Sequence, residues 1–351
     1  MYLVGLNTSE AFGAKIVFVL LAGALSMFFA EVCSGSSVLW FLTGWGLAVT
    51  FWLYLAHTVF FVNLALFFKR TSLTALYLWG VLFGLYESWI TKVAWAGYAG
   101  AAPAHRTILG FAVIEFPLIV FFWHPVFSFI MPVLTFEVLS GEKRILPGHL
   151  SILTKSRRNW AIALLVAIVG ALFLSSNAHG SIGAADLTLV GSFAIIAVLY
   201  WIATKKYGDK FSVESLRLGK FGMALLVIYL VLLYAWAFIF ILPQWIAPPL
   251  TILLTLGLYA AICILLYLKK PDGQAPENMP GEDTFKAKDL AALAGALLVL
   301  ATVFCLAYPP DYILLMAFYL SMYAASFVLL ALAVVRILRE RTGKLSAMTG
   351  S

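Results

Sequence analysis

The sequence is short of charge. Only 11% of its 351 residues are Asp, Glu, Lys or Arg, whereas 63% are hydrophobic. Soluble proteins average about 25% charged residues. This shortage excludes an ordinary water-soluble domain, because too few polar side chains remain to cover its surface. We therefore predict an all-α fold, a polytopic bundle of transmembrane helices, since a helix satisfies its own backbone hydrogen bonds in lipid.

Cysteine and metal-binding motifs are also scarce. The chain has three Cys and five His residues, with no Cys-x-x-Cys and no His-x-x-x-His pair. An odd number of thiols, in or beside apolar segments, argues against a disulfide framework and favours free cysteines. We predict neither a metal nor a cofactor.

Long apolar runs fill most of the chain. A helix needs on the order of 20 apolar residues to cross the roughly 30 Å hydrocarbon core. The predicted spans, numbered one to ten, lie near residues 14–32, 44–68, 73–97, 107–137, 159–176, 187–204, 219–242, 248–268, 288–307 and 312–335.

Basic residues mark one side of the membrane. Of the 23 Lys and Arg residues, all except Lys92 and Arg106 fall on the same side of a ten-span topology. By the positive-inside rule this side is cytoplasmic, so we predict a multi-pass protein of the cell membrane with both termini cytoplasmic. The net charge of +7 is dispersed over five segments, which suits anionic lipid headgroups and not nucleic acid.

The distribution of ionisable residues divides the chain into four parts. Residues 1–145 form a four-span unit that carries the intramembrane ionisable residues, and residues 146–268 contain spans five to eight. Residues 269–289 are rich in Pro and Gly, which predicts a flexible cytoplasmic linker. Residues 290–351 contain the last two spans and a basic cytoplasmic tail.

A short sequence recurs at the ends of spans one and four. Glu-Val-Cys-Ser-Gly occupies residues 31–35, and Glu-Val-Leu-Ser-Gly occupies residues 137–141. The recurrence is compatible with an inverted three-plus-three repeat, and equally with chance. We expect Glu31 to lie at the outer interface and Glu137 to be solvated at the cytoplasmic face.

Span three carries a glutamate beside a stripe of small residues. Gly80, Gly84 and Ser88 follow the small-x-x-x-small spacing that lets another helix approach closely, and Glu87 lies next to them. Charged groups in lipid are costly and usually face protein or a wet cavity. We therefore expect Glu87 to face a neighbouring helix.

Two further ionisable residues lie near the outer ends of spans three and four. Lys92 is placed where its long side chain reaches Glu87, Glu115 or the outer headgroups. The first two alternatives make it a counter-charge for a carboxylate, and the third makes it an interfacial anchor.

Histidines lie within spans two and four. On span two, Tyr54 and His57 share a polar stripe at helical spacing. On span four, His124 shares a face with Ser128 and precedes Pro125. Because the residue before a proline is biased away from helical geometry, we predict an unwound segment there that lines a cavity. The alternatives are a hydrogen-bonded core histidine at position 57 and a proline-kinked packing helix at span four.

We predict that Glu87, Glu115, His57 and His124 converge in one hydrated pocket, with Lys92 as the counter-charge. Such a set of carboxylates and imidazoles suits proton exchange. Two Glu and two His also leave zinc, iron or haem ligation open as an alternative.

Two segments resemble motifs of the CAAX-protease-type intramembrane family. Glu-Ser-Trp-Ile-Thr-Lys at residues 87–92 is similar to a degenerate Glu-Glu-x-x-x-Arg motif, and residues 120–124 are similar to its Phe-x-x-x-His pattern, with Val120 in place of Phe. The resemblance implies a water activated by Glu87 and oriented by histidine. The second Glu and a later His-x-x-x-Asn motif are missing. The chain also resembles uncharacterised prokaryotic membrane families with a Glu-x-x-Ser-Gly segment after the first helix.

These observations leave three functions open. The first is transport of a proton, ion or small polar solute; the second is an intramembrane hydrolase, active or inactive; the third is a non-catalytic subunit with a membrane-protein partner or a homo-oligomer. Whether the protein is an enzyme therefore stays open. The predicted catalytic residues are Glu87, His124 and His57, and the predicted substrate or ion-binding residues are Glu115, Lys92, Tyr54 and Ser88.

Overall fold

The computed structural model describes residues 8–97, 107–141, 145–273, 283–309 and 312–343. Several features of the sequence analysis lie outside the described residues: Arg106, the middle of the predicted linker at residues 274–282, and the end of the basic tail at residues 344–351.

Ten helices in the described part of the chain are long and apolar enough to cross a membrane. They confirm the predicted all-α polytopic bundle. Their bounds are Ala11–Val32, Gly46–Phe67, Leu73–Thr91, Glu115–Leu139, Arg157–Asn177, Ile182–Tyr207, Lys220–Phe240, Pro249–Leu268, Ala287–Leu306 and Ile313–Arg341.

Shorter elements interrupt or connect these spans. Wider π-helical turns occur at Phe28–Val32, Gly46–Thr50 and Ile119–Ile130. Single α-helical turns occur at Val93–Ala96 and Leu150–Leu153, and 3₁₀ turns at Trp40–Leu42, Gly208–Lys210, Val213–Leu216 and Pro243–Trp245.

The connection between spans three and four differs most from its predicted bounds. Span three ends at Thr91 because Lys92 adopts a left-handed conformation with φ of 61°. Span four begins only at Glu115, after the antiparallel pair Thr107–Ile108 and Phe111–Ala112. Leu109 and Gly110 join these strands, both with positive φ, as a tight hairpin turn requires.

The chain divides into two compact units. The first takes its described residues from the ranges Met1–Asn63, Met131–Leu218 and Gln274–Tyr319, and the second from Leu64–Ile130, Gly219–Gly273 and Leu320–Ser351. The predicted division into consecutive parts stays a prediction.

The first unit is built around contacts of spans one, five, six and nine. Span one packs on span six, and span nine packs on spans five and six. The aromatic ring of Phe18 in span one stacks on Phe211 and meets Tyr207 edge to face.

In the second unit, span three packs most extensively on the π-helical part of span four. A Cβ on Gly80 would lie 2.5 Å from Cα of Pro125, and one on Gly84 would lie 3.1 Å from Cα of Val120. The two backbones are therefore in contact, as the stripe of small residues predicts. Only glycine allows this approach.

Pro125 explains the shape of span four. Pro125 has no N–H to donate within the helix, and the Tyr77 hydroxyl of span three donates to the carbonyl of Phe121, about one turn earlier, at 2.8 Å. The predicted unwinding at His124 is wrong, because the backbone stays helical from Glu115 to Leu139. It widens into a π-helix instead, which accommodates the proline without exposing polar groups to lipid.

Candidate functional site

Glu87 and His124 form a carboxylate–imidazole pair between spans three and four. Oε2 of Glu87 lies 2.8 Å from Nε2 of His124, and the two side chains are 13% and 4% accessible. The imidazole also stacks on the ring of Phe83, with centroids 5.3 Å apart. The prediction that Glu87 faces a neighbouring helix is confirmed, and its partner is a histidine.

The other ring nitrogen of His124 contacts a hydroxyl. Nδ1 lies 2.9 Å from Oγ of Ser128, one turn later in span four. An imidazole with partners at both nitrogens accepts a proton on one side and releases one from the other. Glu87, His124 and Ser128 therefore form a continuous chain of proton donors and acceptors. Ser128 shares the predicted face of His124, although the sequence analysis gave it no role.

The local sequence brings these groups together. Because Gly84 lacks a side chain, the Cβ of His124 approaches the backbone of span three, where a Cβ on Gly84 would lie 3.1 Å away. The next small residue of the stripe, Ser88, is fully buried, and its hydroxyl has no hydrogen-bond partner among the described residues. The predicted role of Ser88 in ion binding stays a prediction.

Lys92 does not act as the counter-charge of Glu87. Its ammonium group is buried and donates to the carbonyls of Phe238 at 2.8 Å and of Ala237 at 3.4 Å, with a further contact to the carbonyl of Ile241. These carbonyls end span seven, where a helix leaves acceptors unpaired and carries partial negative charge. Lys92 therefore caps span seven, which corrects its expected pairing with Glu87, Glu115 or headgroups. Its predicted role in substrate or ion binding stays a prediction.

Glu115 lies apart from the pair. It is the first residue of span four and half-buried, and its side chain makes no hydrogen bond or ion pair within the described part of the chain. It precedes His124 by nine residues, which is about two helical turns along span four. Its predicted role in ion binding stays a prediction.

The predicted residues of span two belong to the first unit. The Tyr54 hydroxyl donates to Oε1 of Glu31 at 2.5 Å, and the Ser37 hydroxyl donates to Oε2 of Glu31 at 2.5 Å. Nδ1 of His57 lies 2.6 Å from the carbonyl oxygen of Leu53 in its own helix. The roles predicted for Tyr54 and His57 stay predictions, whereas Glu31, expected only at an interface, proves to be the acceptor for Tyr54.

A second carboxylate–histidine pair occurs in the first unit. Oε2 of Glu137 lies 2.7 Å from Nδ1 of His149, with both side chains almost completely buried, and Oε1 accepts the backbone N–H of Leu146. The expectation that Glu137 is solvated is wrong. In the sequence, this pair is indicated by a glutamate at the end of a predicted helix and a histidine twelve residues later.

The recurring Glu-Val-x-Ser-Gly segments end their helices in the same way. Ser34 and Ser140 each donate to the carbonyl of the glutamate three residues earlier, at 3.0 and 2.8 Å. Gly35 and Gly141 follow with φ of 72° and 78°, the left-handed conformation that closes a helix C-terminus. The recurrence thus has a local cause, and each glutamate side chain holds the segment that follows.

Span six holds another carboxylate. The Thr302 hydroxyl donates to Oδ1 of Asp186 at 3.0 Å, within the first unit. Among the residues that the structure describes, no three His, Cys, Asp or Glu side chains are grouped as metal ligands. Within the described part of the second unit, Glu87 and His124 are an ionisable pair that joins two spans.

Comparison with known proteins places the chain among membrane proteins of undetermined activity. A family model described as an uncharacterized membrane protein family matches residues 20–346. An uncharacterized protein of Archaeoglobus fulgidus is 33% identical over 226 residues, which cover 64% of this chain and 70% of that relative. No solved structure matches the chain.

Proposed function

This chain belongs to the uncharacterized membrane protein family whose model spans residues 20–346, and from its own residues we propose that it is a proton-coupled transporter. In this proposal Glu87 and His124 carry the proton, and the cargo is an ion or a small polar solute. The single observation that carries the proposal is the 2.8 Å contact between Oε2 of Glu87 and Nε2 of His124.

The position of the pair supports a functional role. A charged side chain within a span is costly, up to about 2.5–3.5 kcal/mol at the helix centre on insertion scales. Apolar residues would pack spans three and four without this penalty. A carboxyl group beside an imidazole, by contrast, offers two arrangements of one proton, and the pair is neutral or zwitterionic depending on which partner holds it.

The direction of proton movement follows from accessibility. Glu87 is the more accessible partner, at 13%, whereas Ser128 is fully buried. A proton that enters at Glu87 passes from its carboxyl group to Nε2 of His124. The transfer leaves a carboxylate beside an imidazolium whose Nδ1–H donates to Oγ of Ser128, and the proton leaves by the reverse step through Glu87.

The backbone of span four supports movement of this segment. π-helical turns are frequent at functional sites, and transporters commonly bind cargo at irregular helices. The π-helix Ile119–Ile130 contains Pro125 beside His124. A change in its winding would rotate the imidazole relative to Glu87 and so couple proton transfer to the shape of the span.

The test is flux in proteoliposomes loaded with a small-molecule extract of cells. Internal pH and the loss of each solute are followed after a pH gradient is imposed, for wild type, Glu87→Gln and the matched control Asp186→Asn. We expect pH-coupled loss of a solute in wild type and Asp186→Asn, and neither solute loss nor pH change above empty liposomes in Glu87→Gln. Absence of coupled flux in wild type, or equal flux in Glu87→Gln, contradicts the proposal. Glu115→Gln in the same assay tests the ion-binding role of Glu115.

A second candidate is a hydrolase with a water activated by Glu87. The observation that favours it is the same contact, because Glu87 and His124 are the two residues that carry the resemblance to the CAAX-protease-type family. Its test is cleavage of fluorogenic peptides and of fluorescent phospholipids by purified wild type and Glu87→Gln. Hydrolysis that is lost in Glu87→Gln supports this candidate, and its absence in wild type rejects it.

The orientation is part of the proposal. Basic residues on one side of the ten spans favour a cell-membrane protein with both termini in the cytoplasm. Reporter fusions that are active only in the cytoplasm, placed at the N-terminus and at the C-terminus, test it directly. Activity of both fusions is expected, and an inactive fusion at either end contradicts the topology.

A further inference from the structure

An apolar groove runs along spans five and nine in the first unit. Its volume is about 270 Å³, and almost all of its lining surface is apolar. Its lining residues are Trp160, Ala161, Leu164, Ala292, Leu293 and Ala296. Three of these are alanines, so the groove owes its depth to small side chains. Leu164 is 44% exposed, which shows that the groove opens away from the packed interior of its unit.

A basic residue lies one helical turn before each wall of the groove. Arg157 precedes Ala161 by four residues on span five, and Lys288 precedes Ala292 by four residues on span nine. Residues four apart lie on the same face of a helix, one above the other. Both Arg157 and Lys288 are exposed, so each apolar wall begins with a cation that is accessible to a ligand.

The acids nearest to this end are already paired. Asp289 lies 3.0 Å from the ammonium of Lys155, and Asp283 lies 3.2 Å from the same group. Oδ2 of Asp289 also accepts the backbone N–H of Lys286 at 2.8 Å. Asp289 is close enough to Lys288 to interact with it electrostatically, but the ion pairs of both carboxylates are with Lys155. Arg157 and Lys288 therefore stay exposed and attract an external anion.

Trp160 lies at the boundary between the basic end of the groove and its apolar part. Its ring lines the groove and packs edge to face on Phe285, with centroids 4.9 Å apart. Tryptophan is enriched at the headgroup level of membranes. A ligand that fits has a negative group above Trp160 and a hydrocarbon chain below it, which is the chemistry of an anionic phospholipid.

We propose that this groove is a binding site for one anionic phospholipid. Arg157 and Lys288 hold the phosphate, and one acyl chain lies along the alanines of spans five and nine. A helix from a second protein would be too wide for a groove made by three alanines, and it would leave both cations without an anion. Basic pockets between transmembrane helices bind anionic headgroups in this way.

The experiment is native mass spectrometry of the purified full-length protein in detergent, titrated with phosphatidylglycerol and with phosphatidylcholine of identical chains. The head variant is Arg157→Gln with Lys288→Gln, and the groove variant is Ala292→Leu with Ala296→Leu. The control is Lys205→Gln with Lys206→Gln, which removes the same charge from the exposed end of span six. A charge-conserving variant, Arg157→Lys with Lys288→Arg, tests whether a lost lipid preference results from misfolding and not from the lost charge.

We expect one phosphatidylglycerol to bind at least about tenfold more tightly than phosphatidylcholine, since each basic residue near the surface contributes to anionic lipid binding. The head and groove variants should each lose this preference, and the control and charge-conserving variants should keep it. Equal binding of the two lipids overturns the proposal. So does binding that survives in the groove variant, competition by inorganic phosphate alone, or a lipid-free dimer that the groove variant abolishes.

Discussion

The two carboxylate–histidine pairs of this protein are alike in distance and different in surroundings. Glu87 and His124 lie 2.8 Å apart, and Glu137 and His149 lie 2.7 Å apart. The first pair joins two spans, and its chain of contacts continues to a hydroxyl. The second pair joins the end of a span to the segment that follows, and it is closed by a backbone N–H.

This difference separates a candidate functional site, Glu87 with His124, from a structural pair, Glu137 with His149. Glu137 accepts the N–H of Leu146 as well as His149, so both carboxylate oxygens are engaged and both side chains are sealed from solvent. Glu87 remains 13% accessible, and its histidine has a second partner. Similar short distances therefore do not imply similar functions, and the pairs should respond differently to substitution.

The largest expected effect on stability comes from opening the sealed pair. His149→Ala leaves a buried carboxylate without its imidazole partner, and breaking a buried pair of this kind costs about 3–5 kcal/mol. We expect a large fall in the thermal unfolding temperature in detergent, and a smaller fall for Ser128→Ala, which removes a hydroxyl from the other pair. If the unfolding temperature fell equally in the two variants, the distinction between a structural pair and a functional site would be contradicted.

A second test separates the two helices that bear Glu87 and His124. Gly80→Val places a side chain against the backbone of Pro125, and overpacking of this kind costs about 1–3 kcal/mol. We expect lower stability and loss of coupled flux together, because the helices must move apart.

The matched control is Gly257→Val in span eight. A Cβ there meets no atom within 4 Å in the structure, so stability and flux should stay close to those of wild type. A Gly80→Val protein with normal flux would show that the close contact of spans three and four is dispensable.

A third substitution asks whether Lys92 belongs to the site or to the fold. Lys92→Met keeps the apolar stem and removes the ammonium that caps span seven, which costs about 1.5–3 kcal/mol for hydrogen bonds to a charged group. Lower stability with normal coupled flux per folded molecule is expected, as measured in the proteoliposome assay. Loss of flux at unchanged stability would show that Lys92 acts in proton transfer together with Glu87 and His124.

Part of this arrangement could be predicted from the sequence. Hydropathy and the Lys and Arg pattern give ten spans, and the spacing of Gly80, Gly84 and Ser88 predicts the close approach of a helix beside Glu87. These features repeat along one element, so a single sequence displays them. The proline beside His124 correctly marks an irregular helix.

The partners of the ionisable groups could not be predicted. Lys92 is five residues from Glu87 in sequence, yet it binds the carbonyls of span seven about 145 residues later. Which helix end lies near an ammonium depends on packing between distant spans, which periodicity within one helix does not encode. Glu137 was wrongly expected to be solvated for a related reason. Its partners lie in the segment after the helix.

The smallest expected effect concerns a carboxylate outside both pairs. Asp272 accepts the N–H groups of Thr71 and Ser72 at the start of span three, at 2.6 and 2.7 Å. Burial alone would raise the pKa of Asp272, but hydrogen bonds from Lys269 and Ser72 outweigh it and hold the pKa below its usual value. Lys269 keeps a second carboxylate partner in Glu340 at 3.3 Å, so the expected loss is that of a partly buried carboxylate at a helix N-terminus, up to about 2 kcal/mol.

Because the folded pKa of Asp272 is depressed, its stabilisation is present above the unfolded value of about 3.9 and is lost as the pH falls through the folded pKa. Unfolding temperatures of wild type and Asp272→Asn should differ slightly at pH 6 and converge below about pH 4. A difference that persists at the lowest pH would assign the acid sensitivity to another group. This measurement isolates one contribution to acid sensitivity that belongs to neither histidine pair.

The most direct test of the central claim is exchange of the imidazole N–H protons with solvent, measured by NMR on protein labelled with ¹⁵N only in its five histidines. His124→Gln and His149→Gln assign the two signals. The account predicts that the His124 proton exchanges readily and slows in Glu87→Gln, while the His149 proton is protected in both proteins. Equal protection of the two histidines, or exchange at His124 that is unchanged in Glu87→Gln, would contradict it.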